Sequence, residues 1–326
     1  MVTRQLGIAG PKVSAVSLGC MGMSGMYGQL DEQESVATIH AALDAGITLL
    51  DTGDFYGQGH NEMLIGRALR GRRDQALLSV KFGAMRGPDN SWIGYDARPA
   101  AMKNFLAYSL KRLGVDYIDI YRPARLDPSV PIEDTVGAMA DMVKAGYLRY
   151  ISLSEVGVST IRRAHAVHPI CDLQIEYAIV SRGPEAQIFP ALQELGIGVT
   201  AYGVLSRGLL SGSKPTGKGD SRSHFPRFNS ENVEQNQRVV KALNQLAAQK
   251  GITATQLAIA WVLAKDKSIV PVLGARKPSQ LEEVLGALEV KLTTSDFDEI
   301  EKTFPKDALA GTRYAQEQMR TLDSEK

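Results

Sequence analysis

Glu34-Ser35-Val36-Ala37-Thr38-Ile39-His40-Ala41-Ala42-Leu43-Asp44-Ala45 passes through Gly46 into Ile47-Thr48-Leu49-Leu50-Asp51. In the first stretch Val36, Ile39, His40 and Leu43 fall three and four residues apart, the spacing of one helix stripe. The second is a short apolar run with β-branched residues that ends on a carboxylate, which reads as a buried strand. The alternation continues in both directions. Strand-like runs recur at residues 16–20, 77–81, 117–121, 148–152, 172–176, 197–202 and 268–273, and residues 100–113 carry a further helical stripe of Phe105, Leu106, Leu110 and Leu113.

Successive strand starts lie 31, 30, 40, 31, 24, 25 and 71 residues apart, and most of these intervals suit one β-α unit with its loops. Eight such units in 326 residues predict an α/β fold, a closed (β/α)₈ TIM barrel, in one domain spanning 1–326. An open doubly wound sheet would place a G-x-G-x-x-G turn after an early strand. No such turn occurs, although Gly19, Gly22 and Gly25 are evenly spaced. Residues 4–17 read as a hairpin before the barrel. The 71-residue interval predicts a long exposed loop over 211–229, then helices over 233–250 and 253–264, the second capped by Thr253. The tail over 311–326 is polar and weakly patterned.

Composition excludes several classes. Thirty-seven basic against 36 acidic residues give a net charge of +1, so no footprint for nucleic acid or an anionic membrane is expected. The longest apolar run, residues 257–264, is far too short to span a bilayer. The first residues lack a signal-peptide pattern. Only Cys20 and Cys171 are present, which excludes a disulfide framework or a cysteine-rich zinc site and predicts a reducing, cytoplasmic setting.

Barrel active sites form at the C-terminal strand ends. Asp51 ends the second strand-like run and Lys81 the third, and Tyr56 follows in the loop Asp51-Thr52-Gly53-Asp54-Phe55-Tyr56-Gly57. A lysine beside a tyrosine stabilises phenolate and is expected to lower the tyrosine pKa. An aspartate paired with that lysine keeps it charged and oriented. Such a tyrosine exchanges a proton with a carbonyl or alcohol oxygen. Taken singly, a strand-end Asp also serves as a helix cap and a strand-end Lys as a solvated charge. Their occurrence in successive loops favours chemistry. The loops after the last two strands, 203–209 and 274–280, suit phosphate, with Pro278 in a first helical turn. Arg207 and Arg276 in them are candidates for pyrophosphate and a ribose 2′-phosphate.

The loop 51–57 resembles the signature of the aldo-keto reductase family. So do Asn61-Glu62-Met63-Leu64-Ile65-Gly66, Ser109-Leu110-Lys111-Arg112-Leu113-Gly114-Val115-Asp116-Tyr117-Ile118-Asp119, Gln174-Ile175-Glu176-Tyr177 and residues 202–210. The likeness runs over about 6–302, toward the branch of pyridoxal-reductase-like and potassium-channel β-subunit-like members. It implies a barrel, an extended nicotinamide cofactor, NADPH (NADP+), and reversible reduction of an aldehyde or ketone. Asp51, Tyr56 and Lys81 match three members of the family's catalytic tetrad. The fourth, a histidine, falls in Tyr121-Arg122-Pro123-Ala124-Arg125-Leu126-Asp127, where Ala124 holds its position. Arg122 and Arg125 are alternative donors there.

The resemblance further assigns Ser154 and Gln174 to the nicotinamide carboxamide, and Tyr202 to the face of its ring. Leu205, Arg207, Gly274, Arg276, Gln280 and Glu283 fall to the remainder of the cofactor. Glu155 stands where many members have asparagine, and Val284 replaces a frequent asparagine. Met23, Tyr27, Phe55, Trp92 and Tyr95, with Ala124, are expected at the substrate mouth. The partner is then a small carbonyl compound, with a homo-oligomer left open. A redox-sensing or regulatory protein that binds NADPH with little turnover is the alternative. His40, in a helix stripe, and His165 and His168, near a helix end, read as structural. His60 lies near the catalytic loop with its role open.

Overall fold

In the computed structural model, which describes residues 1–28, 31–216, 220–306 and 308–326, eight parallel strands close into a barrel. An antiparallel hairpin of β1 (Thr3–Gln5) and β2 (Lys12–Ser14) comes first. The barrel comprises β3 (Ser17–Gly19), β4 (Leu49–Gly53) and β5 (Leu77–Phe82), then β8 (Ile118–Pro123) and β9 (Leu148–Ser154), and finally β10 (Ile170–Glu176), β11 (Gly198–Tyr202) and β12 (Ile269–Gly274). Each pairs with the next, and β12 returns to β3 through Val272–Ser17, Leu273–Leu18 and Gly274–Gly19. All eight expected strands are present, with ends displaced by at most two residues. A second hairpin, β6 (Ala84–Arg86) with β7 (Trp92–Tyr95), rises after β5 and was not anticipated.

The helical stripes fold as their spacing requires. Helices Glu32–Asp44 and Pro99–Leu113 cover the barrel through Ile39, Leu43, Leu106 and Leu113, all buried. The apolar run in helix Ala254–Lys265 is buried nearly all round, and Thr253 closes a capping box with Gln256.

The N-terminal hairpin plugs the bottom of the barrel. Leu6 and Val13 pack with Leu49, Ile120 and Val270 in a small separate core. A side chain at Gly7, at φ 70°, would lie 2.2 Å from the Cys171 carbonyl, so only glycine lets the hairpin sit this close. Arg4 fastens it by donating to the carbonyls of Leu263, Asp266 and Ile269 at 2.6, 2.9 and 2.5 Å. Above that plug the interior is polar. Alternate residues of a strand face inward, which brings Asp51, Ser79, Lys81, Arg122, Asp172, Gln174 and Thr200 into one buried polar cluster.

The expected exposed loop over 211–229 departs from its reading. Asp220, Arg222 and Arg227 are buried, and short turns form at Ser221–His224 and Pro226–Phe228. Paired arginines carry that loop inward: Arg222 chelates Asp220, and Arg227 donates to Glu176 and Ser206 at 3.1 and 2.9 Å. Residues 217–219 of it lie outside the described residues. Among the described residues, no helix is long and apolar enough to cross a membrane.

Candidate active site

Register builds the first cluster. In the β4–β5 pair, Asp51 lies opposite Ser79 and Gly53 opposite Lys81, so two neighbouring strand ends present a carboxylate and an ammonium together. Lys81 Nζ donates to Asp51 Oδ1 in a buried ion pair. Asp51 Oδ2 accepts from Ser79 Oγ at 2.9 Å and Gln174 Nε2 at 2.8 Å. Burial pushes the Asp51 carboxyl upward, but the charges of Lys81 and Arg122 outweigh it and hold the group below the usual range.

Tyr56 opens a turn, Tyr56–Gly59, in which Gly57 and Gln58 take left-handed backbone at φ 56° and 52°. The turn lays the Tyr56 ring against Lys81, whose Nζ stands 5.2 Å from the ring centroid. Phe55 packs edge-on to the same ring at 4.8 Å. Here the expected pKa shift is corrected. Burial, followed by the nearby Asp51 charge, raises the Tyr56 hydroxyl well above its ordinary value. Lys81 Nζ lies over the ring and donates to Asp51. The phenol is therefore held in its protonated, donating form.

Ala124 follows β8, is 2% exposed, and donates its N–H to the Phe82 carbonyl at 2.8 Å. The two candidate arginines separate. Arg122 is completely buried inside the barrel, whereas Arg125 lies at the site, donating to the Ala124 carbonyl at 2.6 Å and to Ser154 Oγ at 3.4 Å.

Arg125 also donates to the hydroxyl of Tyr314 at 3.0 Å, and that hydroxyl lies 2.8 Å from Tyr202 Oη. The tail thus packs against this cluster, a placement that its weak sequence pattern does not announce. Arg313 grips Glu155 with two hydrogen bonds of 2.8 and 2.6 Å, Tyr202 Oη donates to the same carboxylate at 2.8 Å, and Ser324 Oγ adds a fourth at 2.6 Å. Glu155 takes left-handed backbone at φ 54°, a conformation that persists only where surroundings enforce it. Burial alone would raise its carboxyl, yet Arg313 brings it down to about 2.

Next to this cluster, Ser206 and Arg207 share left-handed backbone at φ 48° and 57°, in a turn that follows Leu205. The Arg207 guanidinium lies 3.6 Å from Glu176 and covers the rings of Phe225 and Tyr314 at 4.1 and 4.6 Å. Gly274 ends β12. Beyond it the Arg276 N–H donates to Gln280 Oε1 at 2.8 Å, and its guanidinium donates to the Tyr27 carbonyl at 3.0 Å. Pro278 does open the following helix, Pro278–Gly286. Glu283 accepts from Thr253 Oγ1 at 2.9 Å.

Gln174 and Arg276 have the chemistry that a nicotinamide dinucleotide requires. Gln174 spends its amide N–H on Asp51, a pure acceptor, so its Oε1 is left to accept from a carboxamide. Arg276, two residues before that helix, brings a part-exposed cation to its N-terminus, a setting suited to phosphate.

The mouth residues divide. Trp92 and Tyr95 stand on the β7 hairpin strand, edge-to-face at 4.8 Å, with Trp92 46% exposed and under Arg86. Tyr27 lies under Arg222, 5.4 Å away. Met23 is corrected: it is 1% exposed and packs in the main apolar core. His60 is held by Ser24 and Glu32 at 2.9 and 2.7 Å, and His40 by the Ala68 carbonyl at 2.9 Å, both structural positions. Sequence reading missed Arg313, Tyr314 and Arg227. The available signal was an Arg-Tyr pair in a polar tail, which local pattern does not distinguish from a solvated end.

The chain matches the model of the "Aldo/keto reductase family" over residues 15–304. It is 41% identical over 319 residues to a probable aldo-keto reductase 1 of Glycine max, covering 95% of this chain and 91% of that one. Among solved structures it is similar to a glycerol dehydrogenase from Gluconobacter oxydans, with TM-score 0.83, 28% identity and coverage of 98% and 96% of the two chains. It is also similar to the holo form of an aldo-keto reductase from Bacillus halodurans, with TM-score 0.79, 29% identity and coverage of 94% and 97%. With a closed barrel and a match across nearly its whole length, the chain belongs to the aldo/keto reductase family and is an NAD(P)H-dependent oxidoreductase.

Proposed function

We propose that this protein reduces an aldehyde or ketone to the alcohol with NADPH, reversibly, and that the whole chain, including its tail, acts as one unit in the cytoplasm. The observation that carries this reading is the buried Asp51–Lys81 pair set against the face of Tyr56. A high-pKa phenol stays protonated at neutral pH and donates once the substrate oxygen gains charge. The hydride comes from the reduced nicotinamide when it is bound. Tyr56 gives its proton to the forming alkoxide and regains one from water. Lys81 stabilises the transient phenolate, and Asp51 holds Lys81 in place. Ser154 and Gln174 take the carboxamide, Tyr202 the ring, and Arg207 the pyrophosphate. Leu205, Gly274, Gln280 and Glu283 form the rest of the cofactor cleft.

Arg276 supports NADPH over NADH, since a cation facing the ribose favours a 2′-phosphate. Phe55, Tyr95, Trp92, Tyr27 and Ala124 border the substrate, and the Tyr314 hydroxyl joins them from the tail.

A redox-sensing role is the second reading, favoured by Ala124 in place of a donor side chain. Turnover of a small aldehyde panel, monitored by loss of NADPH absorbance, separates the two. Repeated turnovers are expected, and Tyr56→Phe should reduce them about 10²–10⁴-fold while leaving NADPH affinity nearly unchanged. NADPH binding without repeated turnover in the unmodified protein would establish the sensor instead.

A further inference from the structure

Arg122 is the largest charged side chain wholly inside the barrel, at 0% exposure, and no step above uses it. Its Nη1 donates to Thr200 Oγ1 at 2.9 Å and lies 3.3 Å from Asp172 Oδ2, and its Nη2 donates to Ser79 Oγ at 2.8 Å. A guanidinium only donates. Each hydroxyl it meets must therefore accept from it, and the single hydroxyl proton is forced onward. Ser79 sends its proton to Asp51 Oδ2 at 2.9 Å, and Thr200 sends its own to Asp172 Oδ2 at 2.5 Å. With Gln174 also on Oδ2, the Asp51 carboxylate is fixed with Oδ1 turned to Lys81.

We propose that Arg122 is a positioning residue for carbonyl reduction: acting through Ser79, it orients Asp51 and so holds the Lys81 ammonium against Tyr56. This rests on the reductase reading above. A purely structural role, as the partner of Asp172, accounts for one side of the guanidinium and leaves the Ser79 side without a purpose. The buried cluster holds two cations, Lys81 and Arg122, and two carboxylates, Asp51 and Asp172. Losing Arg122 leaves it one negative charge in excess, and burial makes that excess act strongly on Asp51.

The groups facing Asp51 are Cys20 after β3, Tyr56 from its own loop, Ser79 and Lys81 from β5, Arg122 from β8, and Gln174 from β10. Of these only Lys81 and Arg122 bring positive charge. Both therefore favour the ionised form of Asp51.

The test uses Arg122→Met, Arg122→Lys and Ser79→Ala, the last keeping the cation and the partner of Asp172. Two measurements are made on each folded protein: kcat against pH for a reactive aldehyde, and the Asp51 carboxyl titration by ¹³C NMR of aspartate-labelled protein, assigned with Asp51→Asn. Ser79→Ala should lower kcat by roughly tenfold with less than about a twofold change in NADPH Kd. Arg122→Met should move the acid limb of kcat and the Asp51 midpoint upward by about one pH unit or more. Arg122→Lys should restore the midpoint without restoring kcat, because one ammonium cannot span Ser79 and Thr200. A kcat profile lowered uniformly at all pH values, with the Asp51 midpoint unmoved, overturns the proposal. If Arg122→Met does not fold, Ser79→Ala decides: it should raise the Asp51 midpoint and lower kcat, and an unchanged pair of values overturns the proposal. Absence of turnover in the unmodified protein would refute the reductase reading, whereas an unmoved Asp51 midpoint refutes the coupling whether or not the protein turns over.

Discussion

Arg313 and Glu155, 158 residues apart, meet in a bidentate ion pair with both side chains withdrawn from solvent. The pair ties the C-terminal tail to the loop after β9 and delivers Tyr314 to Arg125 and Tyr202. A salt bridge this buried is costly to break from one side, because the remaining charge has no partner.

The sign of its pH dependence follows from the lowered carboxyl. The Glu155 pKa falls from 4.5 unfolded to about 2 folded, so its stabilisation is complete above pH 4.5 and is lost as pH falls toward 2. Proteolysis of the tail should accelerate across that interval. Glu155→Gln should already show the fast cleavage at pH 7, with a raised KM for the carbonyl substrate. Tail cleavage independent of pH and of this substitution would contradict the pair's role.

Asp54 behaves in the opposite sense. Burial and the neighbouring Glu62 charge raise its carboxyl to about 7, and its Oδ1 has no hydrogen-bond partner among the described residues. A raised carboxyl pKa means stability is greatest below the unfolded value and declines as pH rises through 7. Asp54→Asn should therefore stabilise the protein at pH 8 by about 1–3 kcal/mol and have little effect at pH 4. Urea midpoints at the two pH values measure the difference, and equal shifts would show that charge is not the cause.

Arg276 spends one guanidinium nitrogen on the Tyr27 carbonyl and pairs with no carboxylate among the described residues. Arg276→Ala should weaken NADPH binding by roughly 10- to 150-fold while changing NADH binding little. Fluorescence titration of both cofactors reads this directly. Equal affinities in the unmodified protein would remove Arg276 from the 2′-phosphate site.

Ala124→His introduces a donor beside Arg125 in a position that is 2% exposed. A new hydrogen bond to developing oxyanion charge is worth on the order of 3 kcal/mol, about a hundredfold in rate. Small aldehydes are expected to gain up to that factor, and bulky ketones to lose through steric exclusion. Steady-state rates on one substrate of each kind test it. Unchanged rates on both would mean that position 124 does not face the reacting carbonyl.

The alternation of stripes and strand-like runs was sufficient for the barrel, because helix and strand periodicities are local properties of the chain. The same parity placed Asp51 and Lys81 at neighbouring strand ends, and the loop 51–57 supplied Tyr56. Other features depended on which distant segments meet. Arg122 and Arg125 are three residues apart and equally polar, yet Arg122 points inward from β8 and is buried in the barrel, whereas Arg125 lies beyond the strand end beside Ser154. Met23 joins the core because its turn, Met21–Ser24, packs on β4 and on the helix His60–Ala68. Most of all, Arg313 and Tyr314 carry no local pattern that assigns them a place. Their positions follow from a buried carboxylate on another loop, and an ion pair across 158 residues leaves no periodic trace in the sequence.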